Sequence, residues 1–165
     1  MTSDELKAIQ SSLKERYRND LEGALTTLTA EGNFGQEVRC NVDTGKRVVE
    51  AGLHSATGGS RMQVCSGEML LEALVACAGV TLAAAPTAIG IVVREGVIRA
   101  EGDLDFRGTL GVSKETPVGF TAIRLRFELD TNAEQEQIAN LIRLTERYCV
   151  ALLALRSTSY LSLNH

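Results

Sequence analysis

Tryptophan is absent from this 165-residue chain, histidine occurs only at His54 and His165, and proline only at Pro86 and Pro117. With aromatic residues at 4%, there is no run of rings on which nucleic-acid bases would stack. A net charge of −4 with both signs interspersed gives no basic footprint for nucleic acid or an anionic membrane. Two histidines and no CxxC or HxxxH spacing provide no recognisable metal set, so neither a metal nor an organic cofactor is expected. The opening MTSDELKAIQSSLKERYRND lacks the apolar core of a secretory signal. The expected location is therefore cytoplasmic, where cysteines are free, metal-binding or redox-active rather than structural disulfides.

What is present is apolar. Hydrophobic residues make up 44% of the chain, enough to bury one core. Between Glu72 and Arg94 lie 21 residues without a formal charge, long enough to span a bilayer. They are mostly Ala, Gly, Thr and Val, with no basic cluster to orient a span, so a buried core helix is favoured over a membrane segment.

Leu6, Ile9, Leu13, Tyr17 and Leu21 recur at three-to-four-residue spacing among charges, the pattern of an amphipathic helix over residues 3 to about 22. Residues 1–32 are read as an N-terminal helical extension and 33–165 as the main domain. QEVRCNV and RVVEAGLH read as a hairpin turning at Asp43-Thr44-Gly45. Ser66 is the expected N-cap of a helix from Gly67 to about Ile89, apolar on nearly all sides, with Pro86 kinking or ending it.

Two period-two strands follow, VIRAEGDLDFR and FTAIRLRFEL, joined by a long hairpin loop, with acids on one and arginines on the other placed to pair across the ladder. Thr131 and Glu134 suggest a capping box before a second long helix, whose stripe runs Ile138, Leu141, Ile142, Thr145, Tyr148, Cys149, Leu152. STSYLSLNH alternates like an edge strand. The fold class is α+β, antiparallel strands around two long helices. So few strands hardly cover a helix apolar on every side, which points to an intertwined homodimer.

Cys77 and Cys149 lie on the apolar stripes of these two helices. Read from pattern alone they are buried, inert thiols, because an apolar setting raises a thiol pKa. Cys40 and Cys65 read as packing residues.

The wording around the first two thiols is more specific. SGEMLLEALVACAGVTL resembles the central-helix motif of the OsmC/Ohr superfamily, a Glu, a Leu/Ala-rich turn, then Ala-Cys with Thr-Leu following. LTERYCV resembles its second motif, in which a cysteine ends the other long helix after an acidic-aromatic turn. The order of elements agrees from about residue 36 to 163.

The resemblance implies an OsmC-like fold with an extra N-terminal helix, and a peroxidase of the organic-hydroperoxide-resistance type. Cys77 attacks the peroxide as a thiolate and Cys149 resolves the sulfenic acid to a disulfide that a dithiol reduces. It further implies a glutamate and an arginine supporting Cys77. Glu68 is the matching carboxylate, nine residues before Cys77, with a helix-terminal acid at the macrodipole as its plainer reading. Arg47 is the first choice for the arginine, then Arg39, then Arg61. The proline that commonly follows the second cysteine is replaced by Val150, and the polar positions after it by Ala151, Leu152 and Leu153.

Two other functions compete. A non-catalytic dimer of the same fold would bind a lipid-like ligand in its apolar cleft, and a hydrolase would acylate Cys77 with His54 as the base.

Overall fold

The computed structural model describes residues 3–34, 40–42, 51–59, 62, 64–89 and 91–156. Its elements are α1 (Ser3–Asn19), β1 (Leu25–Phe34), β2 (Cys40–Val42), β3 (Ala51–Gly52), β4 (Val64–Cys65), α2 (Ser66–Ile89), β5 (Val93–Asp105), α3 (Phe106–Thr109), β6 (Phe120–Thr131), α4 (Gln135–Tyr148) and α5 (Val150–Arg156). Four strands form one sheet in the order β2-β1-β5-β6, and β3 pairs with β4 in a small parallel ladder. The architecture is α+β. The chain divides into two compact units, one of Met1–Ala30, Thr44–Leu71 and Ala100–Leu125, the other of Glu31–Asp43, Glu72–Arg99 and Arg126–His165.

In the first unit α1 is anchored by Tyr17, only 1% exposed, whose hydroxyl donates to Ala56 O at 3.0 Å. Gln10, two turns earlier on the helix, reaches Thr57 O. Residues 54–59 fold back as a tight turn: Gly59 N donates to His54 O, and Gly58 has φ 94°, the left-handed conformation that glycine adopts without a Cβ penalty. A Cβ at Gly59 would stand 1.7 Å from Leu53 O, so the turn closes only around a glycine. Strand β5 buries Ala100 and Leu104 at alternate positions, and the ring of Phe120 lies over Gly102.

In the second unit Leu74, Val75, Ala78 and Leu82 of α2, Ile98 of β5 and Leu141, Thr145 and Cys149 of α4 and its end are fully or almost fully buried. Ser66–Ala85 is long and apolar enough to cross a membrane by composition; a third of that window is buried in the protein, less than the nearly all-round burial expected of it, and Leu70 and Val80 are exposed.

The expected cross-strand charge pairing is present. Arg124 bridges Asp103 and Glu101, Arg99 bridges Glu128 and Glu31, and Arg94 pairs with Asp130. Asp103 also accepts from Thr27 Oγ1 at 2.7 Å, which ties β1 to the same ladder.

Several expectations change. The segment read as a helical extension ends in strand, and residue 32 falls inside β1, whose threonines and alternation lacked the apolar content that marks a strand in sequence. The partner of β2 is β1, with Gly32 opposite Val42, and that of β3 is β4, not each other. The turn Asp43-Thr44-Gly45 and the terminal STSYLSLNH lie outside the described residues. Phe106 leaves the strand pattern and opens α3, capped by Asp105, whose side chain accepts from Arg107 N.

Helix α2 continues past Pro86 to Ile89. The second capping position shifts by three residues: Glu134 is the N-cap of α4 and its amide donates to Gln137 Oε1 at 2.9 Å, while Thr131 Oγ1 is held by Val92 O and Ala133 N.

Candidate functional site

Two free thiols meet where α4 ends. Cys77 is a half-buried residue of α2, and Thr81 Oγ1 donates to its carbonyl at 2.8 Å, so the turn below it is locked. Cys149 is fully buried and closes α4, its own amide donating to Thr145 O at 2.9 Å. Its backbone is extended, φ −72° and ψ 102°, so the chain breaks there before α5 begins. The carbonyl of Cys149 then accepts from Leu153 N at 3.0 Å, which starts the next helix.

The break has a chemical result. In the first turn of a helix the N–H groups have no carbonyl four residues earlier to bond. Ala151 N–H is therefore available, and it donates to Cys77 Sγ at 3.4 Å. Such a donor solvates charge on sulfur in place of water.

Burial pushes the Cys149 thiol up, a side-chain hydrogen bond and charge repulsion from Cys77 push it further, and the amides of Leu152 and Ala151 oppose this. Cys149 consequently keeps its proton at neutral pH. One sulfur of the pair thus holds a proton and the other receives an amide N–H.

Other residues singled out in the sequence take different places. Glu68 accepts from Cys65 N at 3.1 Å, the reach of a third helical residue back to the capping amide, so the cap falls on Cys65 and not on Ser66. Glu68 also lines a cavity with Arg16, Tyr17, His54 and Cys65. Arg47, Arg39 and Arg61 lie outside the described residues. His54, the base that a hydrolase would need, accepts from Ala56 N through Nδ1 and stacks on Phe106 with ring centroids 4.9 Å apart. Those contacts fix it as part of the 54–59 turn.

A sequence model described as OsmC-like protein matches residues 58–164, well over half of the chain. The chain belongs to the OsmC-like protein family. No curated protein matches it. The matched segment contains Glu68, Cys77 and Cys149, so both cysteine motifs of this OsmC-like chain fall inside the family region, while α1 precedes it. The family includes cysteine-based peroxidases. Sequence reasoning did not find Ala151, because a backbone donor has no side-chain signature; the only trace was the loss of polar residues after Cys149. Nor did it find Arg16, which looked like one more charge on a solvated helix face.

Proposed function

We propose that this OsmC-like protein is a thiol-dependent peroxidase that reduces organic hydroperoxides. The observation carrying the proposal is the pairing of two free thiols with a backbone N–H aimed at one of them. The Cys77 thiolate attacks the terminal peroxide oxygen; the O–O bond breaks, and the alkoxide takes a proton to leave as alcohol, with Cys77 oxidised to sulfenic acid. Sulfur of Cys149 then attacks sulfur of Cys77, its proton departs with the hydroxyl as water, and a disulfide forms. A dithiol of the cell returns both sulfurs to the thiol state as it becomes a disulfide.

Leu74, Ala78 and Leu82 share α2 with Cys77, and with Leu141 of α4 they are buried apolar residues of the same unit, a setting that favours an organic peroxide with an apolar body over hydrogen peroxide. In this reading Arg47 stabilises the thiolate and Glu68 orients Arg47. A homodimer is part of the proposal: Val80 on α2 is 40% exposed, and Tyr148, Val150 and Leu153 at the α4–α5 junction are 58%, 72% and 44% exposed, an apolar surface suited to a second copy.

The test is peroxide consumption with cumene hydroperoxide and a dithiol. Cys77→Ser is expected to abolish turnover, and Cys149→Ser to stop disulfide formation. Undiminished turnover in Cys77→Ser would eliminate the mechanism.

A further inference from the structure

The first unit holds a cavity of about 700 Å³, a volume typical of small-molecule sites, whose walls include Arg16 and Tyr17 of α1, His54 of the tight turn, and Cys65 and Glu68 at the start of α2. Glu68 is the one of these residues that the peroxidase reading also uses, to orient Arg47; the others have no part in that reading. Among the described residues its walls carry two charged groups, Arg16 and Glu68, and these form no ion pair with each other. Arg16 donates to the neutral Tyr17 hydroxyl at 3.0 Å and its guanidinium lies 4.8 Å from the Tyr17 ring centre, and among the described residues no carboxylate neutralises it. One oxygen of Glu68 receives the Cys65 amide, which leaves lone pairs for a second donor.

A ligand that is only anionic would meet Glu68, and one that is only cationic would meet Arg16. A ligand carrying both charges satisfies each. Leu13, Leu53 and Ala56 supply an apolar wall beside them. We propose that this cavity binds a small zwitterion of the amino-acid or short-peptide class, its carboxylate on Arg16, its ammonium on Glu68 and its apolar side chain against Leu13 and Leu53.

Cys65 supplies a built-in reporter, because its thiol is free, half-buried and part of the cavity wall. The experiment alkylates the folded wild-type protein with iodoacetamide and reads the Cys65 peptide by mass spectrometry, so the state of Cys77 and Cys149 does not enter, and the proposal stands or falls apart from the peroxidase reading. L-leucine is expected to slow modification of Cys65. Leucinamide lacks the carboxylate and N-acetyl-L-leucine lacks the ammonium, and each is expected to need roughly ten-fold higher concentration for the same protection, the scale of one charge-assisted hydrogen bond. Arg16→Gln should lose leucine protection and Arg16→Lys should retain it.

Three results overturn the proposal: Cys65 unreactive in the folded protein, no protection by leucine, or equal protection by all three compounds. The analogue series uses unaltered protein, so the result does not depend on a variant folding.

Discussion

Replacing Cys149 with alanine separates the packing of its sulfur from its chemistry. Cys149 has no exposed surface, and its amide and carbonyl are both committed, to Thr145 O and Leu153 N, so the backbone break survives loss of the side chain. Removing one buried sulfur forfeits the transfer energy of roughly one methylene plus a cavity of atomic size, about 1 kcal/mol. For a chain of this length that lowers Tm by roughly 2–4 °C.

The effect on chemistry is of another kind. Treated with one equivalent of cumene hydroperoxide, the wild-type protein is expected to form the disulfide and lose about 2 Da, whereas Cys149→Ala retains the sulfenic acid and gains about 16 Da. Intact-mass measurement without reductant distinguishes them, and a sulfenic-acid trap labels only the variant. A wild-type protein that gains the oxygen and keeps it, together with a variant that cycles at the wild-type rate, would refute the role of Cys149 as the resolving thiol.

Four further outcomes follow from contacts elsewhere in the fold and at Cys149 itself. Asp103, Asp105 and Asp130 are each held below the usual carboxylate range, above all by hydrogen bonds from Arg124, Arg107 and Arg94. A carboxylate whose folded pKa is depressed stabilises the fold above its unfolded pKa and loses that contribution as pH falls, so urea midpoints should drop from about pH 5 downward, and Asp103→Asn should flatten that slope. Cys149 has the opposite sign: its thiol is raised by burial and by Cys77, so its contribution is full below the unfolded thiol pKa of about 8.5 and fades as pH rises through the folded value, a loss that urea titration should find reduced in Cys149→Ala. Leu141→Ala removes a fully buried side chain and should cost about 2–5 kcal/mol in chemical denaturation, while Gly59→Ala, whose Cβ would collide with Leu53 O, should lower Tm without altering peroxide turnover.

Local pattern located the three long helices and most of the strands, but not α3 or the break that separates α5 from α4. The apolar run SGEMLLEALVACAGVTL became α2 within a residue of its expected start, and the alternation of Ile98, Ala100 and Leu104 became the buried face of β5. These features are written in nearest-neighbour spacing, which sequence exposes directly. Strand pairing is not. Nothing near Cys40 indicates that its partner across the ladder is Phe34, and the threonines of β1 fall in what reads as a helical extension until the sheet supplies neighbours for them.

The site divides in the same way. Cys77, Cys149 and Glu68 stood out because motifs name side chains, the structure brings the first two together and places Glu68 on the cavity of the first unit, and Tyr17 was legible as one position of an apolar stripe. Arg16 took its place on the cavity only through the docking of α1, anchored by the bond from Tyr17 to Ala56, which joins residues far apart in the chain.

The break at Cys149 gives a reason for placing the second thiol there. If α4 and α5 were one continuous helix, the amide of Ala151 would bond the carbonyl of Arg147 and that of Leu152 the carbonyl of Tyr148, and neither would be free for sulfur. A proline at position 150 would break the helix by removing a donor. This chain has Val150 at that position, and the extended backbone of Cys149 itself makes the break, with the residue serving as the end of one helix and the start of the next. The released amides then turn to the sulfurs, Ala151 toward Cys77 and, with Leu152, toward Cys149. With Val150 after the second cysteine, the helix is still interrupted at the thiol, and backbone N–H groups meet the dithiol there.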